Sequence, residues 1–189
     1  MPIALEAFKA PIEHKKGQHE DEPERSELTA IKLDEADGIG VALGFTNNSL
    51  SKADYLSISE NNFIVIEASD LRDQLSSCVS EITIRQTQAL ESLRITKPSI
   101  RKLPVKLRKE IENDCYYGLK AEMMQKWCGS IAVSERLCRC NGINEHPNYS
   151  YMIVCKEDTN VQVLDRFKQK MEGTIKDIQV VTTSTLKLQ

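Results

Sequence analysis

Two acids near the middle of the chain, Asp54 and Glu67, stand where a pair of strands would bring them together. Residues 53–69, ADYLSISENNFIVIEAS, are β-rich on either side of Glu60-Asn61-Asn62, which is the pattern of a hairpin. Alternation puts Asp54, Leu56 and Ile58 on one face of the first strand, and Phe63, Val65 and Glu67 on one face of the second. A turn centred between Glu60 and Asn61 sets Asp54 directly opposite Glu67. A turn centred between Asn61 and Asn62 sets it opposite Ser69, with Glu67 diagonal to it. Either register leaves two carboxylates at the end of an apolar face, where like charges destabilise a sheet. A divalent cation removes that cost. Hard oxygen ligands with water in the open positions suit Mg²⁺ or Mn²⁺, and such an ion can polarise a phosphoryl oxygen and activate water. The competing reading is a solvated acid pair neutralised by a neighbouring Lys or Arg.

Around the hairpin the chain divides by pattern. Residues 1–26 are read as a flexible acidic arm that carries Glu20-Asp21-Glu22-Pro23-Glu24, with a single domain over 27–189. Residues 28–33 and 39–46 read as strands, separated by a turn at Asp37-Gly38 and closed by Asn47-Asn48-Ser49. Leu71, Leu75, Val79, Ile82, Ala89 and Leu93 recur at helical spacing. After Lys97-Pro98, a second helix entered through Pro104 carries Leu107, Ile111, Cys115, Leu119 and Met123 and ends near Trp127. Residues 129–149 read as an Asn-, Gly- and Cys-rich connection. A buried-type strand (151–155), a short helix over Val163 to Met171 stopped by Gly173, and a last strand (178–183) complete the order. Antiparallel strands, then helices, then strand–helix–strand predict an α+β or α/β domain, with a mixed central sheet flanked by helices.

The hairpin resembles the core of the PD-(D/E)xK superfamily, the restriction-endonuclease-like nucleases. In that family an Asp begins one strand, an acid-x-Lys triplet ends the next, and a helix with a strand–helix–strand return follows. The resemblance implies that Asp54 and Glu67 are the catalytic and metal-holding acids, with Mg or Mn as cofactor, in an endonuclease or exonuclease. Ala53 stands at the usual Pro and Ser69 at the usual Lys. In the family that Lys positions and activates the attacking water, and in some members another residue fills the position or a Lys reaches in from elsewhere. Lys52, Arg72 and Arg85 are the nearest in sequence, and none is at a motif position.

Charge distribution bears on the partner. The 189 residues carry a formal net charge of −3, yet Arg85, Arg94, Lys97, Arg101, Lys102, Lys106, Arg108 and Lys109 face only Glu91 within their stretch. Such a concentration predicts a nucleic-acid backbone contact, DNA ahead of RNA, that weakens with salt. The bland alternative is a solvated helix–loop–helix surface. A non-enzymatic protein-interaction module or assembly subunit on a degenerate nuclease fold is the second functional reading.

Other chemistries find little support. Cys128, Cys138, Cys140 and His146 could ligate zinc, but Cys138-Arg139-Cys140 has one intervening residue where zinc knuckles use two to four. The six cysteines read as free thiols in a reduced, cytoplasmic protein. His14 and His19 fall in the arm. No GxGxxG, phosphate loop or nucleophile elbow is present. No run reaches the roughly 20 apolar residues that span a bilayer, so no membrane partner is expected.

Overall fold

A computed structural model describes residues 2–14, 23–46, 49–94, 99–143, 146–175 and 177–188. The architecture is α+β. Six strands, β1 (Lys9–Glu13), β2 (Arg25–Lys32), β3 (Tyr55–Ser59), β4 (Asn62–Ala68), β5 (Asn148–Cys155) and β6 (Ile178–Thr182), form one mixed sheet in sequence order. The first four run antiparallel, whereas β5 and β6 run parallel to β4. Helices α1 (Ile39–Ala42), α2 (Arg72–Ser92), α3 (Val105–Asn141) and α4 (Val161–Met171) complete the order.

The two faces of the sheet differ. Phe63 and Val65 of β4 and Tyr151, Ile153 and Cys155 of β5 pack against Leu75 of α2, Met123 and Val133 of α3, and Phe167 of α4. Ile64, Ile66, Met152 and Val154 point the other way. They are covered by Ile12 and Leu186, from segments at opposite ends of the chain. The mixed sheet with flanking helices is as expected, and among the described residues the helices pack on one of its faces. The apolar residues of α2, α3 and α4 are needed on a single side, because strand–strand contacts and the two terminal segments close the other.

Three expectations change. Part of the presumed arm is sheet: β1 pairs with β2, and Ile12 and His14 are buried. The Lys9-to-Glu13 stretch is short, and its mate lies across a polar insert, so no local period announces it. Residues 15–22, with His19 and most of the acidic run, lie outside the described residues, as do Asn47 and Asn48. The strand expected over 39–46 is one helical turn, since Ile39 and Leu43, four apart, both enter the core. Finally, α3 does not end near Trp127 but continues to Asn141, closing on Gly142 in the left-handed region with φ 62°.

Gly129 stands where the connection is expected to begin. In the fold it is a contact point: a Cβ there would lie 1.9 Å from the Ser51 carbonyl oxygen, and 3.0 Å from Leu50. Next to it, Ser130 Oγ accepts from Ala53 N–H at 2.9 Å and donates to the Lys126 carbonyl at 2.7 Å. The helix therefore touches the segment that leads into β3. Gly129→Ala is expected to cost about 3 kcal/mol through overpacking. Gly118→Ala, in the same helix with nothing within 4 Å of the new methyl, should gain about 0.5–1 kcal/mol. Urea unfolding of both variants checks this, and equal effects would refute the docking role.

Candidate active site

The β3–β4 register is Tyr55 opposite Ile66 and Ser59 opposite Asn62, so the turn centres on Glu60-Asn61. Continued by one residue, that register sets Asp54 opposite Glu67. Asp54 Oδ2 accepts the Ala68 N–H at 2.9 Å, and this bond holds the Asp54 carboxylate against β4. Both acids lie at the carboxyl-terminal end of β4, the edge where open α/β sheets place ligands.

A third residue joins them from 59 positions away. Lys126 Nζ of α3 lies 2.5 Å from Glu67 Oε1 and 3.4 Å from Glu122 Oε1, one helical turn back. The Ser69 hydroxyl donates to the same Glu67 oxygen. Glu67 is 1% exposed, and its Oε2 is buried without a hydrogen-bond partner among the described residues. The Lys126 side chain is 20% exposed, so the pair opens toward solvent on the lysine side. Burial works against the Lys126 charge, but the Glu67 carboxylate, with Asp54 and Glu122 behind it, outweighs that and holds the ammonium above the ordinary lysine range. Lys126 is consequently a cation at neutral pH, not a base.

Aromatic side chains wall the pair. Trp127 lies 5.4 Å from Tyr151, ring centre to ring centre, and the Tyr151 hydroxyl donates to Met123 Sδ at 3.6 Å. Burial first, then the Glu67, Asp54 and Glu122 charges, push the Tyr151 phenol far above its usual range, so it stays neutral. On the other side of Asp54 is a cavity of about 290 Å³ lined by Glu13, His14, Lys32, Glu35 and Tyr55.

The cations nearest in sequence are engaged elsewhere. Lys52 is buried against Asp34 at 3.1 Å. Arg72 pairs with Asp158, and Arg85 with Glu81 at 2.6 Å. Sequence order misled here because α3 returns along the sheet and presents its middle to the hairpin. The available signal was Lys126 itself, a lysine set three residues after Met123 and beside Trp127 on a stripe otherwise apolar.

The basic stretch does not join the acids. Arg101, Lys102, Lys106 and Lys109 are exposed around the start of α3, with Arg85 and Arg94 exposed on and after α2. At about 1.5 Å rise per residue, Lys106 and Lys109 lie roughly 25–30 Å along α3 from Lys126. Arg108 is half-buried and lines a cavity. Lys97 lies outside the described residues. Cys128 and Cys140 are exposed on α3, while Cys138 is buried. Among the described residues no group of three or more His, Cys, Asp or Glu side chains is gathered, and no helix is long and apolar enough to cross a membrane.

Comparison of the chain with protein-family models, curated proteins and solved structures finds no match. Chemical interpretation of the site therefore rests on its geometry. Removing the Lys126 charge should leave Glu67 buried and unpaired beside Asp54. Lys126→Met is expected to cost about 3–5 kcal/mol, and Lys126→Met combined with Glu67→Met to recover most of that loss. A double-mutant cycle by urea unfolding measures it; a single-variant cost below about 1 kcal/mol would mean the pair is solvated and structurally idle.

Proposed function

We propose that this protein is a metal-dependent phosphodiester hydrolase of the restriction-endonuclease-like kind, in which Lys126 supplies from α3 the charge that Ser69 cannot. The observation that carries the reading is the Lys126 ammonium seated on Glu67, opposite Asp54, at the carboxyl end of β4. The order of parts supports it: Asp54 just before a strand, Glu67 one residue from the end of the next, a helix, and a parallel strand–helix–strand return.

The acids suit a hard cation. Glu67 Oε2 is a buried carboxylate oxygen with no donor among the described residues, and Asp54 stands across the ladder from it. Asp54 and Glu67 would hold Mg²⁺ or Mn²⁺, with water completing the shell as is usual for Mg²⁺ on one or two carboxylates. The ion supplies Lewis-acid polarisation of a phosphoryl oxygen. Lys126 pairs with Glu67, offers its remaining N–H groups to a water or phosphoryl oxygen, and stabilises negative charge that develops there. Ser69 anchors the Glu67 oxygen that faces Lys126. Nucleic acid is the substrate class that the distal basic end also serves. A strand contacting both places must span roughly 25–30 Å, about eight base pairs at ~3.4 Å each.

A second reading has its own observation. Lys126 already neutralises Glu67, and two carboxylates without a third ligand are a sparse metal site. On that reading the ion pair is purely structural, and the domain binds a partner without chemistry.

Cleavage of labelled single- and double-stranded DNA and RNA with Mn²⁺ separates the two. Asp54→Ala and Lys126→Met should each lower the rate at least about 100-fold. Ser69→Lys in the Lys126→Met background should restore part of it, because the charge returns to the motif position on the same carboxylate. Absence of cutting by the unmodified protein on every substrate, together with no Mn²⁺-induced rise in Tm, would establish the structural ion pair instead.

A further inference from the structure

We infer that the cavity enclosed by α2, α3 and α4 is a binding site for an organic phosphate of nucleoside-monophosphate size. It lies in the helical layer, away from the acid pair, and rests on no part of the hydrolase reading. Its volume is about 700 Å³. That is within the roughly 300–1,000 Å³ typical of small-molecule sites, and more than a bare phosphate ion needs.

The lining is charged in one sense. Arg108 of α3 and Arg166 and Lys170 of α4 contribute three cations against Glu112. Lys170 is already spoken for, at 2.9 Å from Glu112 and 3.2 Å from the Asn113 side-chain oxygen. Among the described residues neither Arg108 nor Arg166 has a carboxylate at ion-pair distance. Two guanidinium groups without an ion-pair partner among the described residues are thus left at one cavity. Guanidinium matches phosphate oxygens with paired, parallel N–H donors, which a lysine cannot do.

Unmet polar groups sit in the same wall. Tyr116 is 1% exposed, and among the described residues its hydroxyl has no hydrogen-bond partner; Arg108 Nε is likewise buried and unpartnered there. Leaving such groups unsatisfied costs about 1–3 kcal/mol each, and a ligand oxygen would remove that cost. Beside them Gln86 is buried and provides both a donor and an acceptor. Val79, Ile82 and Ile100 form an apolar strip along the same cavity. An anionic head for the arginines and a flat, partly apolar body for this strip describe an organic phosphate better than a simple anion.

The test is calorimetric titration of the full chain with adenosine 5′-monophosphate, inorganic phosphate and citrate, each also followed by Tm. The monophosphate is expected to bind and raise Tm, with inorganic phosphate at least about tenfold weaker. Arg166→Gln and Arg108→Gln should each weaken the monophosphate about tenfold or more. Tyr116→Phe removes the orphan hydroxyl. It should leave the free protein as stable or more so, yet weaken the monophosphate, a combination that a merely structural tyrosine would not give. Citrate binding as tightly as the monophosphate would overturn the phosphate assignment. Inorganic phosphate matching the monophosphate would overturn the size claim. Absence of binding at millimolar concentration, or binding indifferent to all three substitutions, would overturn the site.

Discussion

A carboxylate sealed inside a protein needs a counter-charge, and the placement of Glu67 forces much of this structure. The acid sits on a strand whose neighbours on the same face are Phe63 and Val65, so it arrives among apolar side chains with Asp54 across the ladder. The sheet has nothing to offer it: β5 presents Ile153 and Tyr151 on that face. Its partner must come from the helical layer, and Lys126 provides it. Ser69 completes one oxygen and leaves the other unsatisfied, which is the condition in which a buried acid can take up a ligand at little reorganisation cost.

That demand sets the course of α3. For Lys126 to reach Glu67, the helix must run close over the entry to β3. The approach is so tight that no side chain fits at Gly129, and the hydroxyl of Ser130 replaces the missing strand partner of the Ala53 N–H. Three residues of one helical turn therefore do linked jobs: Lys126 meets the charge, Gly129 permits the distance, and Ser130 satisfies the backbone. The same length of helix carries Arg108 far from the acids and into the cavity with Tyr116 and Arg166. One long element thus serves two sites.

How much of this could be read from residues alone follows from the range of the interactions. The hairpin was legible, down to one of two registers, because its partners are neighbours and alternation is a local signal. In the register adopted Glu60 takes φ 47°, a conformation unusual for its type that no period announces. Helices α2 and α4 were legible from their apolar spacing. The continuation of α3 was not, since a glycine placed for close approach looks the same in sequence as one placed to end a helix. Lys126 was hidden for a related reason: a charge aimed at a distant strand and a charge aimed at solvent differ only in tertiary context. The strand at residues 9–13 depends on a partner across the polar insert, and contacts of that kind leave little trace in a short segment.

The helix-free face of the sheet is closed by segments far apart in the chain. Ile12 and Leu186 close the cluster of Ile64, Ile66, Met152 and Val154, and behind them the His14 ring meets the Thr183 hydroxyl at 3.2 Å, which in turn binds Glu24. The contact of Glu24 with Thr183 thus joins segments 159 residues apart. Both faces draw on the same late segment, Ile175 and Ile178 on the helix side and Leu186 on the other, so apolar strands stay in water until that segment has emerged. For that interval the nascent domain is a half-dressed sheet, and chaperones have a defined surface to hold.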